Sequence, residues 1–259
     1  MANFATISLQ VRQLVSNNSM ISTGDVAAIV QAEHETLLND VSWSRRKDQT
    51  LIETVAPYST GSVSGSSGGT TITGSGTVWT SAFVGRYIRI GSNQFYHRIS
   101  AFTSATEVTI EDSLPAAVSA GSTYTIFRHV YALPSNFGRV TNAMLDTRMT
   151  EWSSNDINRI DPYRSTTANQ PDVYTLHGLD SDGNFQIEFW PVPAAATAIR
   201  LEYLKTNTLV QNTDSPLYRS DVLVWKAGES AAFFLYSKTG DKSWMDLADR
   251  YHIRYQETL

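Results

Sequence analysis

The stretch SDVLVWKAGESAAFFLY, residues 220–236, decides much of the fold because it predicts a helix with small side chains on its surface. Ser220 or Asp221 can cap the first turn by accepting a hydrogen bond from a free backbone N–H group. The segment AGESAA, residues 227–232, offers small residues at which a neighbouring helix can approach closely. We therefore expect this helix to pack tightly against other helices.

A further helix is predicted after the break at Thr239-Gly240. Its apolar positions recur at helical spacing and form one stripe: Trp244, Leu247, Ala248, Tyr251 and Tyr255. Core packing is one interpretation of this stripe, and a binding surface for a partner is the other.

The N-terminal segment also follows a helical pattern, in which Ile7, Val11 and Leu14 lie at helical spacing. Residues between the terminal segments follow strand patterns instead. Helices at both ends of a chain, with strands between them, predict that the two ends meet in one bundle.

Ser22 or Thr23 can cap a second N-terminal helix, whose first turn carries Asp25. This helix is predicted to run for about thirty residues, about 45 Å in length. Its apolar stripe is narrow, so we expect the distal half to leave the core or to contact a partner. That half carries the basic residues Arg45, Arg46 and Lys47. A solvated basic face is the ordinary interpretation of these charges.

Residues 59–128 are rich in Ser, Thr and Gly with alternating apolar residues, a pattern that predicts short strands. The runs that fit a period of two are 71–73, 87–90, 95–99, 107–111 and 124–127. Turn residues separate them at 74–76, 91–93, 103–106 and 120–122. This spacing predicts a small antiparallel β-barrel or sandwich.

The glycine-rich run GSSGGTTITGSGTVWT, residues 65–80, suggests a phosphate loop, but no lysine follows Gly74 and no helix follows the run. We interpret the part through Gly69 as a flexible lead-in. Gly74-Ser75-Gly76 is predicted to turn the first hairpin, with Ile72, Val78 and Trp79 available to the core.

Beyond residue 129, three runs read as strands: VYTLHG, NFQIEFWPVP and TAIRLEYLK. Asp180-Ser181-Asp182-Gly183 is predicted to close a hairpin between the first two. The expected fold class is α+β, a helical bundle with an inserted small β domain and a further β-hairpin region. The predicted domains are a helical core of residues 1–58 and 129–259 and an insertion of residues 59–128.

Composition excludes several kinds of chemistry. The 259 residues include no cysteine, so disulfides, thiolate metal sites and cysteine nucleophiles are excluded. The net charge of -5, without a block of like charge, argues against tight DNA binding by the whole surface. The N-terminus has no basic segment followed by an apolar run, so we expect synthesis in a cytoplasm.

Individual polar residues do not combine into a catalytic, cofactor or metal motif. The five histidines are scattered, and Asp180, Asp182 and Asn184 fit a hairpin turn better than a calcium loop. Two carboxylate pairs were weighed for acid–base chemistry, with exposed charge as the ordinary interpretation: Asp156 with Asp161, and Glu188 with Glu202. We predict a protein that is not an enzyme and uses no cofactor.

Several stretches together resemble the head-to-tail adaptor proteins of tailed bacteriophages, also called head-completion or connector proteins. They are GSGTVWTSAFVGRYIRIGSNQFYHRISAFTSATEVTIEDS, YTIFRHVYALPSNFGRV, INRIDPYRSTTANQPDVYTLHG, IEFWPVP, LEYLK and DSPLYRSDVLVWKAGESAAFFL. The resemblance covers most of residues 59–236. Its most specific parts are the FWPVP and SDVLVWKA stretches.

The resemblance implies a structural protein of the virion, made in the host bacterial cytoplasm and placed at the head–tail interface. It implies a homo-oligomeric ring, a dodecamer, beneath the portal protein, which extends the channel for double-stranded DNA and docks tail or nozzle proteins. Trp244, Leu247, Tyr251 and Tyr255 are then candidates for portal docking. Arg45, Arg46 and Lys47 are candidates for subunit or DNA-channel contacts.

The main alternative is a tail-fibre or decoration-type binding module whose β insertion binds carbohydrate or a host surface. Trp79, Tyr87, Phe95 and Tyr96 would stack on sugar rings if they were exposed. Their placement at strand positions also makes them candidates for the core, and the long terminal helices argue against a fibre.

Overall fold

A computed structural model describes residues 2–40, 46–91, 95–206 and 214–259 of the chain. It contains two compact units. One, the helical unit, comprises Met1–Asp48 and Tyr203–Leu259, and the other, the β-rich unit, comprises Gln49–Glu202. The fold is α+β, as predicted.

The α-helices are α1 (Phe4–Leu14), α2 (Thr23–Asp40), α3 (Ser154–Ile160), α4 (Ser220–Thr239) and α5 (Ser243–Thr258). The first eight strands are β1 (Lys47–Glu53), β2 (Ser62–Gly65), β3 (Thr71–Ser75), β4 (Tyr87–Ile90), β5 (Tyr96–Ser104), β6 (Glu107–Ile110), β7 (Val118–Ser122) and β8 (Tyr124–Phe127). The others are β9 (Val130–Ala132), β10 (Phe137–Met144), β11 (Thr150–Glu151), β12 (Thr167–Ala168), β13 (Val173–Leu179), β14 (Phe185–Trp190), β15 (Val192–Pro193) and β16 (Ala198–Lys205).

The helical unit joins both ends of the chain, because α1, α2, α4 and α5 pack together. One apolar core unites them, with buried side chains that include Ile7 and Val11 of α1, Val30 of α2 and Leu235 of α4. The prediction that the two ends meet in one bundle is confirmed. Burying each such side chain stabilises the fold by about 1.5–3 kcal/mol.

Local capping explains where these helices begin and end. Ser22 and Asp25 form a capping box at α2: the Asp25 N–H donates to Ser22 Oγ at 3.0 Å, and the Ser22 N–H donates to Asp25 Oδ2 at 2.8 Å. Gly240 ends α4 in the left-handed conformation, at φ 68°, as the predicted break requires. The cap predicted at Ser220 or Asp221 is wrong, because Ser220 is already helical.

The predicted thirty-residue helix is also wrong in its second half. The described part of α2 ends at Asp40, and β1 begins at Lys47. Strand β1 is an edge strand of a three-stranded sheet in which β16 is central and β10 is the other edge strand. Pairing with β16 satisfies the backbone of β1, and this tertiary contact overrides the local helical pattern.

In the β-rich unit, residues 59–128 form a curled half-barrel sheet with the strand order β7-β2-β3-β6-β5-β4-β8. Every pairing recorded in this sheet is antiparallel. Its core includes Ile72, Trp79, Ile88 and Ile99. The predicted antiparallel β structure is present, and independent folding of residues 59–128 stays a prediction.

Two details of the glycine-rich run differ from expectation. The part through Gly69 is not a flexible lead-in, because Gly65 ends strand β2 (Ser62–Gly65), which pairs with both β3 and β7, and the residues after it connect β2 to β3. The first hairpin turns between β2 and β3, and Gly74-Ser75 continue β3. Gly74 pairs with Val63 of β2, and a Cβ added at Gly74 would come 2.3 Å from the Thr77 hydroxyl, so this strand position favours glycine.

The rest of the β-rich unit contains the sheet β11-β13-β14-β9 and the short pair β12-β15. Strands β13 and β14 are antiparallel, with Leu179 opposite Phe185 at the end of the hairpin. The predicted turn at Asp180 is confirmed, since Asp180 Oδ1 accepts the N–H groups of Asp182 (2.9 Å) and Asn184 (2.8 Å).

Candidate docking grooves of the helical unit

Helix α4 occupies the centre of the helical unit because its small residues let other helices approach. Ala227, Gly228, Ala231 and Ala232 are buried. A Cβ added at Gly228 would lie 2.7 Å from Leu14 Cδ1 and 3.4 Å from Tyr251 Cδ2. Gly228 therefore marks the point at which α1, α4 and α5 come together.

The predicted docking stripe of α5 is divided by this packing. Trp244 and Tyr255 are half-buried and pack against the helical core. The Tyr251 hydroxyl donates to the Leu14 carbonyl oxygen at 2.6 Å, and burial raises the pKa of this phenol above its ordinary value. These three residues attach α5 to the rest of the unit, whereas Leu247 faces a groove.

That groove, which we call the α4–α5 groove, has a volume of about 430 Å³. Its lining combines apolar and aromatic side chains with charged ones: Trp225, Leu247, Tyr251, Ile253, Arg250, Arg254 and Glu257. Ile253 is 57% exposed, which is unusual for isoleucine. Arg254 Nη1 pairs with Glu257 Oε2 at 3.0 Å, and Arg250 makes no ion pair among the described residues.

A second groove, the α1–α4 groove, also has a volume of about 430 Å³. Its lining includes Leu14 of α1 and Val224 of α4, together with the polar residues Gln10 and Gln13. Trp225 contributes to both grooves. The two grooves therefore flank one half-buried tryptophan, whose ring lies 5.8 Å from that of Tyr251.

The three basic residues predicted to contact a subunit or DNA do not share one environment. Arg45 lies outside the described residues. Arg46 is only 8% exposed, and its Nε donates to the Lys205 carbonyl oxygen at 3.0 Å. This bond lies inside the helical unit and leaves little of Arg46 accessible, and its contact with a subunit or DNA stays a prediction. Lys47 is exposed at the start of β1.

A family model described as SU10 adaptor protein matches residues 27–257, which include most of both units. The chain belongs to the SU10 adaptor protein family. A search among curated proteins found no significant match. The family is one of structural phage adaptors rather than of enzymes, so this adaptor is a component of the virion. The resemblance to head-to-tail adaptors is confirmed.

The β-rich unit of this adaptor buries a charged network that the sequence did not reveal. Glu188 is fully buried, and the Arg164 Nε donates to its Oε1. His177 Nδ1 lies 3.4 Å from Glu188 Oε2, and His129 Nε2 lies 3.9 Å from Oε1. Burial alone would raise the pKa of Glu188, but hydrogen bonds from His177 and Arg164, with the electrostatic effect of His129 and Arg164, lower it to about 2.

The neighbours of this network are structural as well. Burial lowers the pKa of His129 to about 4, so this imidazole is neutral at pH 7. Asp161 accepts the N–H groups of Ser165 (2.8 Å) and Thr166 (2.9 Å) and thereby fixes the loop that holds Arg164. The carboxylates proposed as acid–base pairs thus serve ion pairing and loop structure.

The aromatic residues of the carbohydrate-binding alternative do not form an exposed platform. Trp79 is 2% exposed, and its Nε1 donates to the Tyr124 hydroxyl at 3.0 Å. Tyr87 and Tyr96 are half-buried and contact each other edge to face at 5.3 Å. Phe95 is 60% exposed and contacts Tyr163. Of these four aromatic residues, only Phe95 exposes its ring enough to stack on a sugar.

Searches for other kinds of site gave negative results within the described ranges. No group of three or more His, Cys, Asp or Glu side chains there could hold a metal ion. None of the helices there has the length and apolar character needed to cross a membrane.

Proposed function

We propose that this adaptor assembles as a ring, a dodecamer, beneath the portal protein at the head–tail interface. The ring extends the channel for passing double-stranded DNA and docks tail or nozzle proteins on its far side. The single observation that supports assembly through the helical unit is the α4–α5 groove, whose apolar lining is open in the isolated chain. Open apolar surface rimmed by charged residues is typical of protein–protein contact sites.

Attachment to the portal is assigned in this proposal to α5 as a whole. Trp244, Tyr251 and Tyr255 act by holding the helix in place on α4, because their side chains face the helical unit. Met245, which is exposed and lies outside the α4–α5 groove, is the apolar side chain available for direct contact near the start of α5.

Passage of DNA needs no strong attraction by the ring. The chain has a net charge of -5, so a channel lined by such subunits would not hold the phosphate backbone tightly. The adaptor is therefore proposed to contact DNA without sequence specificity.

Electron microscopy of the full chain mixed with its portal protein tests the proposal. The expected result is a ring of twelve copies added to one face of the portal, with an open central channel. A chain lacking residues 241–259 should not attach, and circular dichroism checks that it remains helical. Absence of any ring with the complete chain would contradict the proposed function.

A further inference from the structure

The α4–α5 groove has a counterpart elsewhere on the same chain, at the end of the β13–β14 hairpin. Leu179 and Phe185 face each other there and are 59% and 39% exposed. Asp180 and Asp182 lie in the turn between them. The hairpin end is thus an apolar pair with two carboxylates, a surface suited to an apolar groove with a basic rim.

The hairpin end is rigid before any contact is made. Asp180 Oδ1 accepts two backbone N–H groups, and Asp180 N–H donates to the Asn184 carbonyl oxygen at 2.8 Å. Phe185 also contacts the ring of Phe137 at 5.5 Å. A segment that is already ordered loses little conformational entropy when it binds.

The groove has the matching properties. Leu247 and Ile253 supply apolar surface, and Trp225 forms one wall. Arg250 and Arg254 supply positive charge on the same flank of α5, since residues four apart lie on one helix face. Tryptophan, tyrosine and arginine are the residue types that dominate binding energy at protein interfaces.

We propose that the β13–β14 hairpin end of one copy inserts into the α4–α5 groove of the next copy. The inference rests on the proposed ring and names the partner of its groove. Two different surfaces of the chain meet in this contact, so it is head-to-tail, and a pair of copies keeps one free groove and one free hairpin end. Contacts of this type close into rings when the rotation between copies allows it.

The contact is expected to be weak for an isolated pair of copies. A hairpin end in a shallow groove buries less than the roughly 1,200 Å² typical of stable complexes. When copies close into a ring, or attach side by side to one portal, the remaining hairpin–groove contacts form within one assembly. The assembly as a whole is then more stable than a single contact would make it. The isolated adaptor should therefore be a monomer or a weak oligomer that forms complete rings on the portal.

Cross-linking tests the geometry directly, because the chain contains no cysteine. A variant with Ser181→Cys at the hairpin end and Glu257→Cys in the groove is treated with a bismaleimide at high protein concentration. A ladder of dimers, trimers and longer species is expected on a denaturing gel. The control pairs Ser181→Cys with Met245→Cys on another flank of α5 and should give no ladder. Monomers alone from the first variant would overturn the proposal.

Charge exchange tests the energetics. Arg250→Glu and Asp182→Lys should each weaken self-association in sedimentation experiments about tenfold, and Leu179→Asp more strongly. Combining Arg250→Glu with Asp182→Lys in one chain should restore association, because the opposite charges are exchanged. A mixture of the two single variants should also regain association, as alternating oligomers, because each variant's hairpin end carries the charge opposite to that of the other variant's groove. Asp249→Lys, on another flank of α5, serves as the control and should leave association unchanged.

The outcomes separate this inference from the proposed function. If complete chains form rings on the portal and Leu179→Asp and Arg250→Glu chains do so equally well, the hairpin contact is wrong and the adaptor function stands. If only groove variants lose assembly, the groove binds the portal or another partner, and the inference is also wrong. If no complete chain forms a ring, the proposed function itself fails.

Discussion

The two units of this adaptor handle buried polarity in opposite ways. The helical unit is held by apolar packing against the small residues of α4, and each ion pair recorded among its described residues keeps a partly exposed partner, as Lys226 does for the buried Glu229 at 3.2 Å. The β-rich unit instead buries the carboxylate of Glu188 with the guanidinium of Arg164. A buried ion pair adds little to the net free energy of unfolding, but removal of one partner strongly destabilises the fold because a charge is left buried and unpaired.

This difference indicates a division of labour between the units. Apolar helix packing tolerates adjustment and leaves open grooves, as a unit that takes up partners requires. The buried guanidinium of Arg164 donates to Glu188, to the Asp161 carbonyl oxygen and to Asn158, and these bonds specify one arrangement of the loop and strand they join. The β-rich unit is therefore suited to present the hairpin end at a fixed position.

The largest expected effect comes from breaking the buried pair. Arg164→Leu leaves Glu188 buried without its main partner and should destabilise the β-rich unit by about 3–5 kcal/mol. Hydrogen exchange measured peptide by peptide can report this loss for residues 49–202 separately from the helical unit. Little change in the helical peptides is expected.

Two controls sharpen that experiment. Arg159→Leu removes an arginine that is 79% exposed, and its effect should stay below about 0.5 kcal/mol. Replacing both Arg164 and Glu188 by leucine should recover much of the loss, because no unpaired charge remains. An Arg164→Leu chain as stable as the original would contradict the role assigned to the pair.

The sequence was a good guide to the helical unit because its signals are local. The capping box at Ser22, the small residues at 227–232 and the glycine at 240 each act within a few positions, and each predicts what the structure contains. The strands of residues 59–128 were mostly predicted as well. Strand β2 was missed because the run SVSG has no alternating apolar pattern and depends on pairing with β3 and β7. Strand β7 was missed too, because its residues 120–122 were predicted as a turn.

The candidate site was only partly predictable. The stripe of α5 was recognised, but its spacing could not show that Tyr251 would bond to Leu14, 237 positions away in the chain. Arg250 and Ile253 were overlooked because exposed positions of an amphipathic helix resemble an ordinary solvated face. Arg164 and Glu188 are brought together by tertiary structure, which no sequence spacing encodes.

The second prediction uses pH to distinguish the units. The folded state holds His129 neutral, with its pKa lowered by burial from 6.5 to about 4, so its contribution is complete above pH 6.5. As the pH falls from 6.5 to 4, the unfolded chain binds a proton that the folded chain does not, and up to about 3 kcal/mol of stability is lost. Urea unfolding at several pH values measures this loss in the β-rich unit.

Glu188 extends the same trend to lower pH. Its pKa of about 2 lies below the ordinary 4.5, so its stabilising effect is present above pH 4.5 and declines as the pH falls toward 2. His129→Gln should remove the loss between pH 6.5 and 4 while leaving the lower step. An unchanged pH profile in that variant would assign the upper step to another group.

The smallest of the three effects is expected at the helix junction. Gly228→Val places a branched side chain where even a Cβ would lie 2.7 Å from Leu14 Cδ1 and 3.4 Å from Tyr251 Cδ2, so these two side chains must shift. Overpacking of this kind costs about 1–3 kcal/mol, measured by urea unfolding of the helical unit. Gly24→Ala, whose added Cβ meets Ser22 Oγ at 3.6 Å, is the control and should be neutral or stabilising by up to about 1 kcal/mol.

The same substitution, Gly228→Val, should also affect ring assembly, because a shift of side chains at this junction deforms the α4–α5 groove. Ring assembly should therefore fall by more than the modest loss of stability alone would cause. Normal assembly in that variant would mean that the groove does not take part.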